Sequence, residues 1–153
     1  MSAKGTGCTV RGVCGKNSTT SARMDLLLFV IRGISIAAHT LRTHRILPDP
    51  QVNAFVIDAL FSTITNANFD EKSITERINR GFNLRNRLVA QASSAGITFP
   101  SADELTWNGA PEAYDDKAAE VGVLREPNED LRSLKELIVY GLKGMAAYTG
   151  HAM

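Results

Sequence analysis

After residue 21 the hydrophobic positions of the chain recur with helical spacing almost to its end. Leu27, Ile31, Ile34, Ala38 and Leu41 stand three or four apart from Ala22 onward, the period of one face of an α-helix. Thr20 or Ser21 is the expected N-cap and Pro48 the expected stop. Asp49-Pro50 reads as a second start, with Val52, Phe55, Val56, Ala59, Leu60 and Thr63 on one face. Ser73 and Glu76 have the spacing of a capping box for a third helix. Its stripe is Ile74, Ile78, Phe82, Val89 and Ala92, its end is Gly96, and Gly81 inside it predicts a close helix contact. Pro100, Ser101 and Glu104 mark a short fourth helix, Pro111 opens a fifth that closes at Gly122, and Asn128 caps a sixth. Leu131, Leu134, Ile138, Leu142, Met145 and Tyr148 form the stripe of that last helix, which is expected to be buried. No segment alternates like a strand ladder, so the expected fold is all-α.

Residues 1–21 are rich in Gly, Ser and Thr and carry no hydrophobic period, which predicts a loop. The segment DLLLFVIRG, Asp25 to Gly33, aligns without gaps to ELIVYGLKG, Glu136 to Gly144. The shared acidic start and basic-Gly step suggest two related helices, and chance similarity between two amphipathic helices is the alternative. The expected organisation is therefore a Gly/Cys-rich N-terminal loop (1–21) followed by two three-helix bundles, 22–96 and 97–153, related by an internal repeat.

With 153 residues and 44% hydrophobic content, the chain can build a core without staples. Its net charge of +1 gives no long-range field of the kind that marks nucleic-acid or membrane-surface binders. The apolar run Leu26 to Ile31 is broken by Arg32, so no membrane-spanning helix is expected. Lys4 is not followed by an apolar segment of the kind found in secretory signals. Cytoplasmic residence is the expectation, and there the two cysteines read first as thiols or metal ligands.

Cys8 and Cys14 lie in the segment GTGCTVRGVCGK. Iron–sulfur clusters need thiolate ligands and backbone N–H groups aimed at the sulfurs, and glycines allow that close approach. The spacing C-x5-C alone also fits a pair of free thiols or a disulfide. GTGCTVRGVCGK, followed by MDLLLFVIRGISI, LFSTITNANFD, LTWNG and NEDLRSLKELIVYGLKGMAAYTGHA, resembles the N-terminal helical domain of hybrid-cluster proteins, the prismane or hydroxylamine reductase family. That resemblance implies an oxidoreductase in which four N-terminal cysteines hold a [4Fe–4S] or [2Fe–2S] cluster. The cluster would relay electrons from an external carrier toward hydroxylamine or nitric oxide reduction at a hybrid cluster in downstream domains. Cys8 and Cys14 match the last two of the four cysteines, with Gly7, Gly12 and Gly15 giving space and backbone donors. The chain starts after the place of the first two and ends before the hybrid-cluster domains, so by itself it is expected to hold an incomplete or absent cluster and to be inactive, with no catalytic residue of its own. A homodimer sharing four thiolates is one arrangement; a cofactor-free helical interaction or oligomerisation module is the alternative.

Other chemistry is sparse. His39, His44 and His151 have no cysteine near them in sequence and read as surface or helix-end side chains. Arg77, Arg80, Arg85 and Arg87 read as a solvated basic helix face rather than a nucleic-acid site. Asp70-Glu71 and Asp115-Asp116 sit beside helix starts, where acids cap or complement the dipole. Nucleotide-binding and hydrolase motifs are missing from the sequence.

Overall fold

The computed structural model describes residues 15–64 and 67–152. Among them the chain is all-helical, with six α-helices, two short 3₁₀ turns and no β-strand. Helix α1 (Ser18–Thr43) begins earlier than its hydrophobic period, because Asn17 is extended and its Oδ1 accepts from Thr20 N at 2.7 Å. That places the cap ahead of Thr20 and Ser21, both of which lie inside the helix. The stop also comes before Pro48. Arg45 turns left-handed at φ 61, its N–H bonds Arg42 O, and Ile46 N–H bonds Leu41 O, the paired closure of a Schellman motif.

Leu26, Leu27, Val30, Ile34, Ala37 and Leu41 of α1 are completely buried. With a mean hydropathy of 1.6 over its richest window, α1 is long and apolar enough to cross a membrane, which the charge at Arg32 did not suggest. Much of that apolar surface is covered by other helices of the same chain.

Helix α2 (Gln51–Ser62) starts after Asp49-Pro50 as expected, and Asp49 Oδ1 accepts from Gln51 N at 2.8 Å. Helix α3 (Glu71–Ser94) is capped by Asp70, which accepts from Lys72 N at 3.0 Å, and not by a Ser73–Glu76 box. Ser73 Oγ is occupied instead by Arg77 Nη1 at 2.5 Å. Gly96, at φ 69, closes α3 with bonds from Ile97 N to Ala92 O and from Gly96 N to Ser93 O. At Gly81 a Cβ would fall 2.6 Å from Val30 Cγ1 and 3.1 Å from Phe55 Cζ, so the anticipated close contact is real and joins α3 to α1 and α2.

Helix α4 (Asp103–Thr106) is one turn, and a 3₁₀ turn at Pro111–Ala113 leads into α5 (Tyr114–Val121). A second 3₁₀ turn, Val123–Arg125, precedes α6 (Glu129–Ala152), whose start is capped by Asn128 Oδ1 accepting from Leu131 N at 3.0 Å. One core cluster draws residues from α1 to α5 together with Ala146 of α6, and so runs across position 96.

The expected burial of the α6 stripe is not what the structure shows. Leu131, Leu134, Ile138, Leu142, Met145 and Tyr148 are exposed, Ile138 by 65% and Tyr148 by 83%. The less exposed side of α6 carries Arg132, Glu136, Val139, Lys143 and Ala146 instead, at spacings of three and four. The helix thus turns its ions toward the body and its large apolar side chains outward. Its neighbour is α2, half its length, with an edge contact between Phe61 and His151 at 5.8 Å between ring centroids.

Gly33 and Gly144 occupy matching places in the DLLLFVIRG and ELIVYGLKG segments, yet their surroundings differ. A Cβ on Gly33 would sit 2.1 Å from Glu104 O, whereas nothing lies within 4 Å of one on Gly144. Gly33→Ala is expected to destabilise the fold by about 2 kcal/mol, overpacking outweighing helix propensity. Gly144→Ala should stabilise by about 0.5–1 kcal/mol. Urea unfolding followed by circular dichroism measures both, and equal effects would refute this difference in environment.

Candidate functional site

Of the sequence-predicted site residues, Cys8, Cys14, Gly7 and Gly12 lie outside the described residues, and Gly15 lies within them. Gly15 has φ +93, a conformation L side chains rarely adopt, so the backbone following Cys14 turns in a way that needs glycine. A Cβ there would lie 3.8 Å from Phe69 Cε1. The next residue, Lys16, is only 8% exposed. Its Nζ donates to Ile64 O at 3.0 Å, lies 3.6 Å from Met24 Sδ and stands 5.2 Å from the centroid of the Phe69 ring. Asn17 then caps α1. Three successive residues therefore tie the end of the cysteine segment to α1 and to the α2–α3 connection.

That connection is itself shaped by local bonds. Asn68 Oδ1 accepts from Asp70 N at 2.9 Å and Asn68 Nδ2 donates to Ser73 Oγ at 3.3 Å, an Asx turn that presents Phe69 toward Gly15 and Lys16. Sequence reading named Gly15 but missed Lys16 and Phe69. The available signal was the adjacency of Lys16 to Gly15; nothing in the hydrophobic period pointed to Phe69.

In donor type the segment fits an iron–sulfur cluster: two thiols are soft ligands for iron, and the turn after the second uses bare backbone. In donor number, residues 1–153 offer two thiolates where a cubane takes four. Among the described residues no group of three or more His, Cys, Asp or Glu side chains is placed to hold a metal ion. His39, His44 and His151 are exposed.

The basic face expected on α3 needs correction at Arg85, which is fully buried. Its Nη1 donates to Glu104 O at 3.0 Å, its Nη2 to Asn86 Oδ1 at 3.0 Å and to Asn108 Oδ1 at 2.7 Å, and its guanidinium stands 5.0 Å from the Phe82 ring centroid. Burial lowers its hold on the proton, partly offset by Asp103. LTWNG owes its residues to this cluster. Leu105 is buried, Trp107 packs on Phe29, Phe82 and Tyr114 at 5.6–6.2 Å between centroids, Asn108 receives Arg85, and Gly109 leaves room for the Trp107 ring. Lys117 seals the aromatic group by pairing with Asp103 and Glu120 over the Phe29 and Trp107 rings. These are the contacts of a packed core. Asp70 and Asp115 behave as helix-start acids, Asp115 also pairing with Arg23.

Charged side chains of α1 and α6 also influence one another electrostatically. Asp25 is largely buried beside Gly122, where a Cβ would come 3.1 Å from Asp25 Oδ2, and it feels Glu136, Lys143 and Arg32. These four ions are the matching acidic and basic positions of DLLLFVIRG and ELIVYGLKG. Burial first, and Glu136 second, push the Asp25 carboxyl up to about 6.

Comparison with known proteins places this arrangement. A family model described as Prismane/CO dehydrogenase family matches residues 2–153. A protein of Bacteroides thetaiotaomicron named hydroxylamine reductase is 50% identical over 150 residues, covering 98% of this chain and 27% of that protein. Proteins of the same name from Porphyromonas gingivalis and Desulfitobacterium hafniense are 46% and 47% identical, with 95% and 98% of this chain covered and 27% and 28% of theirs. The chain spans about a quarter of the length of the curated relatives it matches.

The raised Asp25 carboxyl makes stability depend on pH. Folded Asp25 keeps its proton to about pH 6, whereas the unfolded chain releases it near 3.8. Between those values the folded state binds more protons, so stability present at low pH is lost as pH rises through about 6. Asp25→Asn should remove that decline and leave the variant about 2–3 kcal/mol more stable than the parent near neutral pH. Thermal unfolding between pH 4 and 7.5 tests this; parallel Tm profiles for the two proteins would refute it.

Proposed function

Because the chain belongs to the Prismane/CO dehydrogenase family, we propose that it is the helical domain of a hydroxylamine reductase and that Cys8 and Cys14 contribute two thiolates to an electron-relay iron–sulfur cluster. The observation that carries this reading is the anchored exit of the cysteine segment: Gly15 left-handed against Phe69 and Lys16 buried beneath it, directly after Cys14. A thiolate on a fixed backbone keeps its place when iron changes oxidation state, and glycines on both sides leave room for N–H donors to the sulfurs. The shared name of the relatives supports the choice of hydroxylamine as substrate.

When bound, the cluster would supply single electrons. Cleaving the N–O bond of hydroxylamine consumes two electrons and two protons and yields ammonia and water. The residues of this chain would bind and orient: Cys8 and Cys14 would hold iron, Gly7, Gly12 and Gly15 would leave room for the backbone, and Gly15, Lys16 and Asn17 join the segment to α1. An external electron carrier is the proposed donor. Two further thiolates are needed, from elsewhere in a longer polypeptide or from a second copy of this one.

The outward apolar face of α6 favours a companion role as a docking element, since a contiguous exposed apolar patch marks an interaction surface. In a longer protein this face would pack on further polypeptide, and in isolated 153-residue chains it should drive concentration-dependent self-association.

Anaerobic purification with iron and sulfide analysis, visible absorption and light scattering tests the proposal. A single chain is expected to hold little iron or sulfide, a dimer pooling four thiolates to bind both and to lose most of them in Cys8→Ser or Cys14→Ser, and either form to leave hydroxylamine unreduced. Ile138→Glu should shift the mass toward monomer. A colourless protein after reconstitution would reject the cluster in favour of a cofactor-free helical module. Hydroxylamine turnover by the isolated chain would overturn the division of labour.

A further inference from the structure

We propose that the outward face of α6 is the contact between two copies of this chain, which cross antiparallel at Gly141, an inference that rests on the docking reading of α6 above. Among the described residues, eight of the eleven exposed large hydrophobic side chains lie on this one helix, from Leu131 at 44% to Tyr148 at 83%. At on the order of 100 Å² apiece, they offer about the 800 Å² per partner that a specific, stable interface buries. A lone chain rarely leaves so much apolar surface together in water.

The order of side chains along the face points to the occupant. Leu134, Leu137, Ile138, Gly141, Met145 and Tyr148 follow one another at helical spacing, on the side opposite Arg132, Glu136, Val139 and Lys143. Gly141 stands at the middle. Leu134 and Tyr148 lie seven residues either side of it, Leu137 and Met145 four, and Ile138 and Gly144 three. A two-fold axis at Gly141 therefore sets Leu134 against Tyr148 of the second copy, Leu137 against Met145, and Ile138 into the gap over Gly144. An isologous contact requires a surface that complements itself in this way, whereas a partner of different sequence has no need of the mirror.

Nothing lies within 4 Å of a Cβ built on Gly141 or Gly144. Neither glycine is needed for packing within its own chain, and each weakens the helix relative to alanine. At a crossing point they let two backbones approach more closely than larger residues do. Charge sets the sense of the crossing, because Glu129 and Asp130 occupy the first turn of α6 and His151 the last. A parallel pair would gather the carboxylates of both copies at one end. The antiparallel pair sets each acidic turn beside a last turn that carries no acid.

Sedimentation velocity and light scattering of the 153-residue chain over a concentration series measure the pairing. Gly141→Leu fills the crossing and is expected to raise the dimer dissociation constant about tenfold. Helix content by circular dichroism should stay unchanged, because the new side chain meets open space in its own chain; Gly141→Ala serves should the leucine variant not fold. Gly150→Leu makes the same change on α6 away from the stripe, where a Cβ also meets nothing, and should leave the dissociation constant as it is. In a Cys8→Ser, Cys14→Ser background, mixed Leu134→Cys and Tyr148→Cys chains are expected to form the mixed disulfide in preference to either self-disulfide, read by mass spectrometry.

A dimer that Ile138→Glu dissociates but Gly141→Leu leaves intact overturns the crossing at Gly141 and keeps the docking reading. A preference for the Leu134→Cys self-disulfide overturns the antiparallel sense and likewise keeps that reading. A chain that stays monomeric at every concentration overturns the pairing together with the self-association expected above, and leaves the face to a different polypeptide.

Discussion

The carbonyl of Glu104 occupies the space that a side chain at position 33 would need, and much of the molecule depends on that one approach. A fully buried guanidinium is costly unless its donors are satisfied. Arg85 meets the requirement with neutral acceptors, the Glu104 carbonyl and the amide oxygens of Asn86 and Asn108, and with the face of Phe82. Gly33 lets the backbone of α4 reach α1, and Arg85 of α3 holds it there. A helix of only one turn, which could not persist by itself, becomes a fixed bracket between the two longest core helices. Trp107 is then delivered onto Phe29, Phe82 and Tyr114.

The same bracket bears on the site because it immobilises α1. Gly15, Lys16 and Asn17 follow Cys14 in sequence and lead directly into that helix, which Asn17 caps, so the exit of the cysteine segment joins a fixed helix start. Phe69, set by the Asn68 turn ahead of α3, meets that exit from the other side. Gly15, Lys16 and Asn17 therefore sit where two element starts converge, and their geometry follows from packing within the helical core.

Helix existence was legible in the sequence because burial imposes a period, and the stripe of α1 and the tight spot at Gly81 both follow from it. Cap positions were less so. Asn17, Thr20 and Ser21 are all competent N-caps by type, and the choice fell on the one whose backbone the Gly15–Lys16 anchor holds extended. Asp70 prevailed over Ser73 in the same way, since Ser73 is engaged by Arg77. Arg85 was misread as solvated because an arginine with amide and carbonyl partners far away in sequence leaves no local signature. Cys8, Cys14, Gly7 and Gly12 fall outside the described residues, so for them the sequence and the family resemblance carry the reading.

Helix α6 shows most clearly what periodicity cannot decide. Spacing tells which side chains share a face, and the inference that the apolar face lies inward is a further step that assumes enough neighbours to cover it. At about 1.5 Å per residue, the 24 residues of α6 run twice the length of the 12-residue α2 beside them. Meanwhile Asp25 of α1 offers Lys143 and Glu136 a charged environment on the near side. Lys143 faces opposite charges there at a cost in desolvation, Glu136 faces a like one, and Leu134, Ile138, Leu142 and Met145 are left pointing away. The cost appears at Arg132, whose Nε is buried with no hydrogen-bond partner among the described residues. At roughly 25 cal/mol per Å² of apolar surface left in water, the orientation carries a cost that spacing alone does not reveal. The reversed polarity of α6 therefore lies beyond what spacing can tell: the same period serves either face, and which of them meets α2 is set by tertiary packing.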